Sequence, residues 1–499
     1  MQEYTPHISS LLNKVIEGLP FLLPELLLTL TFLLSILSGV FLKKGYIISW
    51  WIVVVGLLFT ALFTVNQIFW PAKTPVFFGM ILPDSNGAQL KLLITITSLL
   101  FVVFIHYNQA IRSHYKKVDD LLSILLAVHI GLNMMTMAVN WLMTYISIEM
   151  VSIGSYIMVG YLSKDKKQSE AALKYVLFGT ICSAIMLYGL SLVYGYTGTL
   201  TFTDKSHLIG LTNMPPAAFM ISMLLVLTGI GFKLSFVPFH FWSPDVYQGA
   251  PTPVTAFLST APKIGAVTLL GRFVLTWPAN GYETLPRVVF ILLALAAIAS
   301  MILGNFAALW QSNVKRMMAY SSIGHTGFLL MIILTNPSRS FEILFFYLAA
   351  YVVMNMGVFM LADRLEEGLG LTDVSAYKGL GRNYPSTMVA MTLLMVSLTG
   401  LPPTAGFVAK LLAFSAALTA FQSDGQYIWL VLVITGAITT VIALFFYFKI
   451  PLNAFLRSSS KEDSSLPNKL PLNGLFVIAL ILSFLSLLLG LSPAILLNI

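Results

Sequence analysis

The feature that most constrains this chain is the recurrence of apolar runs long enough to cross a bilayer. A spanning helix needs about 20 predominantly apolar residues, whereas a barrel strand needs about half that number. Such runs fall near residues 21–42, 47–69, 89–108, 119–138, 140–161, 171–196, 219–241, 254–277, 286–310, 316–334, 341–363, 387–420, 426–450 and 474–497. Lipid offers the backbone no hydrogen-bond partners, so runs of this length read as helices. The expectation is an all-α polytopic membrane protein with about 14 transmembrane helices. Composition agrees: 10% of residues are charged, against roughly a quarter in soluble domains.

Two spans look interrupted. The seventh runs into "GFKLSFVPFHFWSPDVYQGAPTPV", residues 231–254, with prolines at 238, 244, 251 and 253. The twelfth is long for one helix and contains "LTGLPPTAGFVAK". Proline removes a backbone donor and frees a carbonyl, so helices 7 and 12 are expected to be broken.

The formal net charge of +8 comes from basic residues concentrated in alternate loops, at 43–44, 112–117, 164–167, 315–316, 378–382 and 457–469. The positive-inside rule puts these loops in the cytoplasm and both termini outside, in a multi-pass membrane protein. A basic surface for nucleic acid is not needed to explain the charge. The sole cysteine, Cys182, excludes an intrachain disulfide and an iron–sulfur cluster held by this chain alone. No strand-flanked G-x-G-x-x-G or Walker A pattern supports nucleotide binding. The opening "MQEYTPHISSLLNK" lacks a basic n-region and a small-residue cleavage site, so this segment is expected to be retained.

Against this apolar background a few ionisable residues fall inside spans: Glu149, Lys174, Lys233, Lys263 and Lys410. A lysine at bilayer centre costs at least about 2.5–3.5 kcal/mol. Lys174 lies near a helix start, where it can instead reach the interface. The others have apolar sequence on both sides. A purely structural ion pair is a second account of them. Spacing favours a wet interior. Tyr145, Glu149, Ser152 and Tyr156 share one helix face, as do Thr255, Ser259 and Lys263, then Ser321 and His325, then Tyr347, Tyr351 and Asn355. Each stripe alone can be interhelical glue. His325 alone can be a satisfied core histidine. Beside a lysine chain, its titration near neutral pH makes it a relay candidate.

Lys233 and Lys410 are 177 positions apart. The same offset takes Lys263 to Thr440, Lys174 to Tyr351 and Glu149 to Thr326, beside His325. The chain therefore divides into helices 1–3 (1–118), a first five-helix unit (119–277), a second (286–450), and a loop with helix 14 (451–499). An odd number of helices per unit gives the two units opposite topology, as in inverted-repeat transporters with broken helices near the midplane.

The quoted segments, extended through "FKLSFVPFHFWSPDVYQGAPTPVTAFLSTAPKIGA", together with "NVKRMMAYSSIGHTGF" and the mid-helix Glu149, resemble antiporter-like subunit N of bacterial respiratory Complex I, an NADH:quinone oxidoreductase. The resemblance runs over essentially all spans. It implies proton translocation along a buried chain: Glu149 paired with Lys233, Lys263 as the central connector, His325 as a further connector, Lys410 as the terminal lysine, and Lys174 as the sixth-helix lysine. It implies no cofactor on this chain; NADH, FMN, Fe–S clusters and quinone belong to partner subunits. The implied partners are the antiporter-like subunits M and L and the small subunits K and J, within a lipid bilayer. The alternative is a Mrp-type cation/proton antiporter subunit, which shares the fold and the lysines.

Overall fold

The computed structural model describes residues 5–42, 45–114, 118–162, 165–279, 286–335, 337–458, 470 and 472–497. Among these described residues, fourteen helices are long and apolar enough to cross a membrane. They are α1 (Leu23–Phe41), α2 (Gly45–Phe69), α3 (Ser85–Tyr107), α4 (Val118–Met137), α5 (Trp141–Val159), α6 (Lys166–Thr197), α7a (Pro216–Leu234), α8 (Thr252–Ala279), α9 (Arg287–Leu309), α10 (Val314–Leu334), α11 (Pro337–Leu369), α12b (Ala405–Asp424), α13 (Ile428–Pro451) and α14 (Gly474–Leu491). Two shorter helices complete the broken spans, α7b (Trp242–Gly249) and α12a (Pro385–Thr399). Among the described residues β-structure is limited to isolated bridges. The chain is a polytopic membrane protein.

Local chemistry sets where helices begin. Asp84, Asn140, Asn313 and Asn473 each accept a backbone N–H from the first turn of α3, α5, α10 and α14, which satisfies donors that the helix itself cannot. The very short α4–α5 link is held by the loop after α6: Trp141 N–H donates to Leu200 at 2.8 Å and Phe202 N–H to Val139 at 3.1 Å. A short helix in that region, Lys205–Thr212, carries His207. Its Nε2 accepts from the Trp141 indole at 3.2 Å, and its Nδ1 lies 3.0 Å from the Thr199 carbonyl.

Burial is uneven. Helices α8, α10 and α11 are enclosed almost completely, while α1, α2, α6 and α13 present most of their surface outward. The inner helices bring α3, α4, α7b and α12b together around them. At the α9–α10 crossing the backbones touch: a Cβ on Gly304 would stand 2.4 Å from Gly324 N, so only glycine fits there.

Both expected breaks are present. Helix α7a stops at Ser235, in the left-handed region at φ 56, three residues before Pro238. Its loosened backbone finds partners on nearby segments. Phe232 accepts from the Trp242 indole at 3.0 Å, Leu234 accepts from Thr326 Oγ1 at 3.0 Å, and Val237 N–H donates to Ser300 Oγ at 2.9 Å. Helix α12a ends at Gly400, φ +86, before "LPPT". Irregular backbone survives at depth because protein groups from neighbouring helices satisfy it.

The basic clusters at 43–44, 116–117 and 461–469, with Lys164, lie outside the described residues. Contacts among the others show that alternate helix ends share a face. Lys174 and Arg316 meet at Asp245, Lys315 meets Glu366, and Lys449 donates to the Leu309 carbonyl.

Candidate functional site

The buried ionisable groups assemble around the two breaks. Lys233 is the penultimate residue of α7a and is 3% exposed. Its ammonium nitrogen has no hydrogen-bond partner in the protein. It lies at a helix C-terminus, where the partial negative charge of unsatisfied carbonyls favours a cation. Glu149, on α5, is the charged group whose field reaches it. The structure does not bring the two into an ion pair: Glu149 Oε1 accepts from Ser183 Oγ on α6.

From the same break a hydrogen-bonded link runs inward. Lys263, buried on α8, donates to the Ser322 carbonyl at 2.6 Å and to Thr326 Oγ1 at 2.7 Å. The Thr326 hydroxyl in turn has the carbonyls of Leu234 and Ser322 both at 3.0 Å. Leu234 is the neighbour of Lys233. Three helices thus meet at one threonine, and the acceptor from α7a exists because the helix ends there.

A second half of the site lies on α10 and α11. Tyr351 donates to Ser322 Oγ at 2.8 Å. His325 Nδ1 lies 2.7 Å from the Tyr347 hydroxyl and Nε2 lies 3.4 Å from that of Tyr447, which also bonds Ser321. Both histidine nitrogens are therefore engaged by hydroxyls, which can donate or accept. Lys410, on α12b, reaches back across the second break and donates to the carbonyls of Thr399 at 2.8 Å and Leu398 at 3.3 Å. Its ammonium also lies 5.3 Å from the centre of the Phe328 ring. Both break lysines thus sit at the C-terminal end of a half-helix, Lys233 by belonging to it and Lys410 by spanning the gap.

Lys174 is placed elsewhere. It is 38% exposed and pairs with Glu170 and Asp245, each at 2.8 Å. Arg316 holds the other oxygen of Asp245 at 2.5 Å. This cluster ties the ends of α6, α7b and α10 together at a membrane face. Several stripe residues bond their own helix, Ser152 to Ile148 at 2.7 Å and Ser259 to Ala256 at 2.8 Å. That is ordinary side-chain back-bonding.

Sequence reasoning passed over Ser322, Thr326 as a ligand, and Tyr447. Ser322 and Thr326 are four apart on α10, a spacing that could have marked them as a polar face with Lys263. Tyr447 sits in "ALFFYFK", where one hydroxyl among phenylalanines gives little signal. The carbonyls of Leu234, Leu398 and Thr399 are backbone groups, readable only through the breaks.

Comparison with known proteins places this geometry. Residues 138–443 match the family model described as "NADH:quinone oxidoreductase/Mrp antiporter, TM". A relative named NADH-quinone oxidoreductase subunit N 2, from Chloroherpeton thalassium, is 39% identical over 465 residues, 92% of this chain and 89% of the relative. NADH-quinone oxidoreductase subunit N from Chlorobium chlorochromatii is 36% identical over 464 residues, with the same coverage of each chain. Among solved structures, a chain of respiratory complex I from Thermus thermophilus is 27% identical with a TM-score of 0.77, covering 95% of this chain and 99% of that one. A chain of the Mrp complex from Dietzia sp. shares the fold, with a TM-score of 0.79 at 20% identity over 96% of each. Glu149, Lys233, Lys263, His325 and Lys410 all fall inside the matched region, and the chain belongs to the subunit N family of NADH-quinone oxidoreductase membrane subunits.

Proposed function

We propose that this chain translocates protons within an NADH:quinone oxidoreductase, with Glu149, Lys233, Lys263, His325 and Lys410 holding and passing them. The observation that carries the reading is the link Lys263–Thr326–Leu234 at the break beside Lys233. It runs from the Lys263 amine through one hydroxyl to the backbone carbonyl of the residue next to Lys233. A buried ammonium needs compensation. For Lys233 that compensation comes from the end of α7a and from Glu149. Movement of Glu149 between Ser183 and Lys233, or a change in its charge, alters how firmly Lys233 keeps its proton. The tyrosine-flanked His325 lies between Lys263 and Lys410 and relays through hydroxyls that donate as readily as they accept. Lys174 acts at the membrane face through Asp245.

In this reading helices α4–α8 and α9–α13 are two inverted units, each with a broken helix and a lysine at a half-helix end. Both chain termini lie outside. The other antiporter-like subunits M and L and the small subunits K and J are the proposed neighbours. NADH oxidation, FMN, Fe–S clusters and quinone chemistry belong to partner subunits. The relatives named subunit N, at 35–40% identity, favour this reading over a stand-alone Mrp-type antiporter.

The test is a pair of substitutions at Lys233, measured as proton pumping and NADH-driven quinone reduction in membranes with matched complex content. Lys233→Ala is expected to abolish coupled pumping. Lys233→Arg keeps a charge that does not dissociate and is expected to fail nearly as badly. Full activity of the arginine variant would make Lys233 a structural cation and overturn the reading.

A further inference from the structure

The first four helices hold a second buried cluster, outside the matched region, which begins at residue 138. Lys91 on α3 pairs with Glu25 on α1 at 2.8 Å, and both side chains are sealed from the surface. Lys91 also donates to Gln67 Oε1 on α2 at 3.0 Å, and Gln67 is fixed by the Phe21 carbonyl at 3.0 Å. Asn133 on α4 donates to Glu25 Oε1 at 3.1 Å. One turn along α3, Thr95 Oγ1 lies 3.3 Å from His129 Nε2 on α4. Toward the membrane face where α3 begins, Arg272 on α8 donates to the Thr136 carbonyl at 2.5 Å and pairs with Asp84, which caps α3 and is 28% exposed.

A pair kept only to hold helices together is expected to be fully hydrogen-bonded, because every unsatisfied atom adds to the cost of burying charge. This cluster is not. Glu25 Oε2, Ser98 Oγ, His129 Nδ1 and Asn133 Oδ1 are all buried without a partner in the protein. They lie on α1, α3 and α4 around one ion pair. The carboxylate and amide oxygens accept, and the hydroxyl and the ring nitrogen can donate or accept, so all four are groups that a short file of water can bridge. The base at the centre is a lysine, which can give up its proton, and not an arginine. The charged and titratable groups facing it are Glu25 from α1, His129 from α4, Arg272 from α8 and Asp84 at the start of α3.

The cluster is in register with the main site. A Cβ on Gly265 of α8 would lie 3.0 Å from Met135 and 3.1 Å from Leu132 on α4. At about 1.5 Å rise per residue, His129 stands at nearly the height of Lys263.

We propose that Glu25, Lys91 and His129 form a second proton-exchange site, joining the level of Lys263 to the membrane face that carries Asp84. The proposal rests on the transport reading above. In the ion pair, Lys91 is an ammonium and Glu25 a carboxylate. One proton moves from Nζ to the carboxylate, giving amine and carboxylic acid with no change in net charge. The acid proton leaves through water toward Asp84. A proton relayed by His129 then reaches the amine and restores the pair, so one proton enters and one departs. Arg272 keeps its charge throughout and holds Asp84 at the mouth.

The test uses the intact complex in proteoliposomes, with NADH and a short-chain quinone, following proton uptake or release and quinone reduction on the same sample. Glu25→Gln with Lys91→Met removes both charges, so no unpaired ion remains to unfold the site. The expected result is assembled complex whose coupled proton transfer is slowed about a hundredfold, the lower end of what a positioned proton-transfer group contributes. His129→Gln places an amide where Nε2 meets Thr95 but does not titrate, and the same slowing is expected. It decides the question should the double variant fail to assemble. Wild-type pumping in either variant overturns the proposal. Failure here with a Lys233→Ala variant that no longer pumps leaves the transport reading intact. Normal pumping by Lys233→Ala would remove that reading instead.

Discussion

The hydroxyl of Thr326 lies 2.7 Å from the ammonium of Lys263. Among the described residues it is the side chain that bonds both this lysine and the broken end of α7a. Thr326→Val keeps the shape and removes the bond, leaving the Leu234 carbonyl and Lys263 each short of a partner. A loss of about 1–3 kcal/mol in stability is expected, together with a larger fall in pumping than in assembly. Thr326→Ser restores the hydroxyl and is expected to recover most of the pumping. Equal pumping in the valine and serine variants would show that the link carries no protons.

Lys174 gives the opposite expectation. Its pairs with Glu170 and Asp245 are exposed enough to be screened by solvent, and such pairs are worth about 0–1 kcal/mol. Lys174→Ala is expected to leave Asp245 held by Arg316 and to pump within about twofold of wild type. A collapse of pumping comparable to that of Lys233→Ala, at matched complex content, would put Lys174 in the proton path.

His207 predicts a pH effect on stability at the loop following α6. Burial lowers its pKa from 6.5 to about 4, partly offset by its bond to the Thr199 carbonyl. A second ring proton would point at the Trp141 N–H, so the folded form is neutral. Between pH 6.5 and 4 the unfolded segment binds the extra proton and the folded one does not, so stability falls as pH drops through that window. The loss reaches up to about 3 kcal/mol at the acid end. Hydrogen-exchange protection factors over residues 199–212 should fall below pH 6.5, and His207→Gln should flatten that dependence. An unchanged dependence in the variant would assign it to another group.

Orientation is checked with a reporter that is active only in the cytoplasm. Fusion at the C-terminus should be silent, and insertion after Gln311, in the α9–α10 loop, should be active. The reverse pattern would invert the topology.

The lysines of the main site were legible because a charge amid apolar sequence has few explanations. The breaks were legible because proline forbids a continuous helix. The place of the first break was less so. Ser235 turns the chain before Pro238, where the Trp242 indole and Thr326 take up the freed carbonyls, and Thr326 is 92 residues away in sequence. Lys174 lay near a helix start in the sequence, and only the fold reveals Asp245 and Arg316 beside it. With the third span read as 89–108, Lys91 stands at its edge, whereas the helix begins at Ser85. The extra turn draws Lys91 inside, where Glu25 is waiting on a helix more than sixty residues earlier.

The contact of Gly304 with Gly324 has a mechanical consequence. Two helices that touch backbone to backbone have no side-chain cushion to shear, so α9 and α10 tilt or slide only as one rod. His325, one residue from that weld, is anchored to the stiffest part of the chain. Its neighbours on α11 and α13 offer hydroxyl rotors, and Lys410 offers a flexible four-carbon arm. If protons pass here, the parts free to move are rotors and arms a few ångströms long, set in a helical frame that stays put.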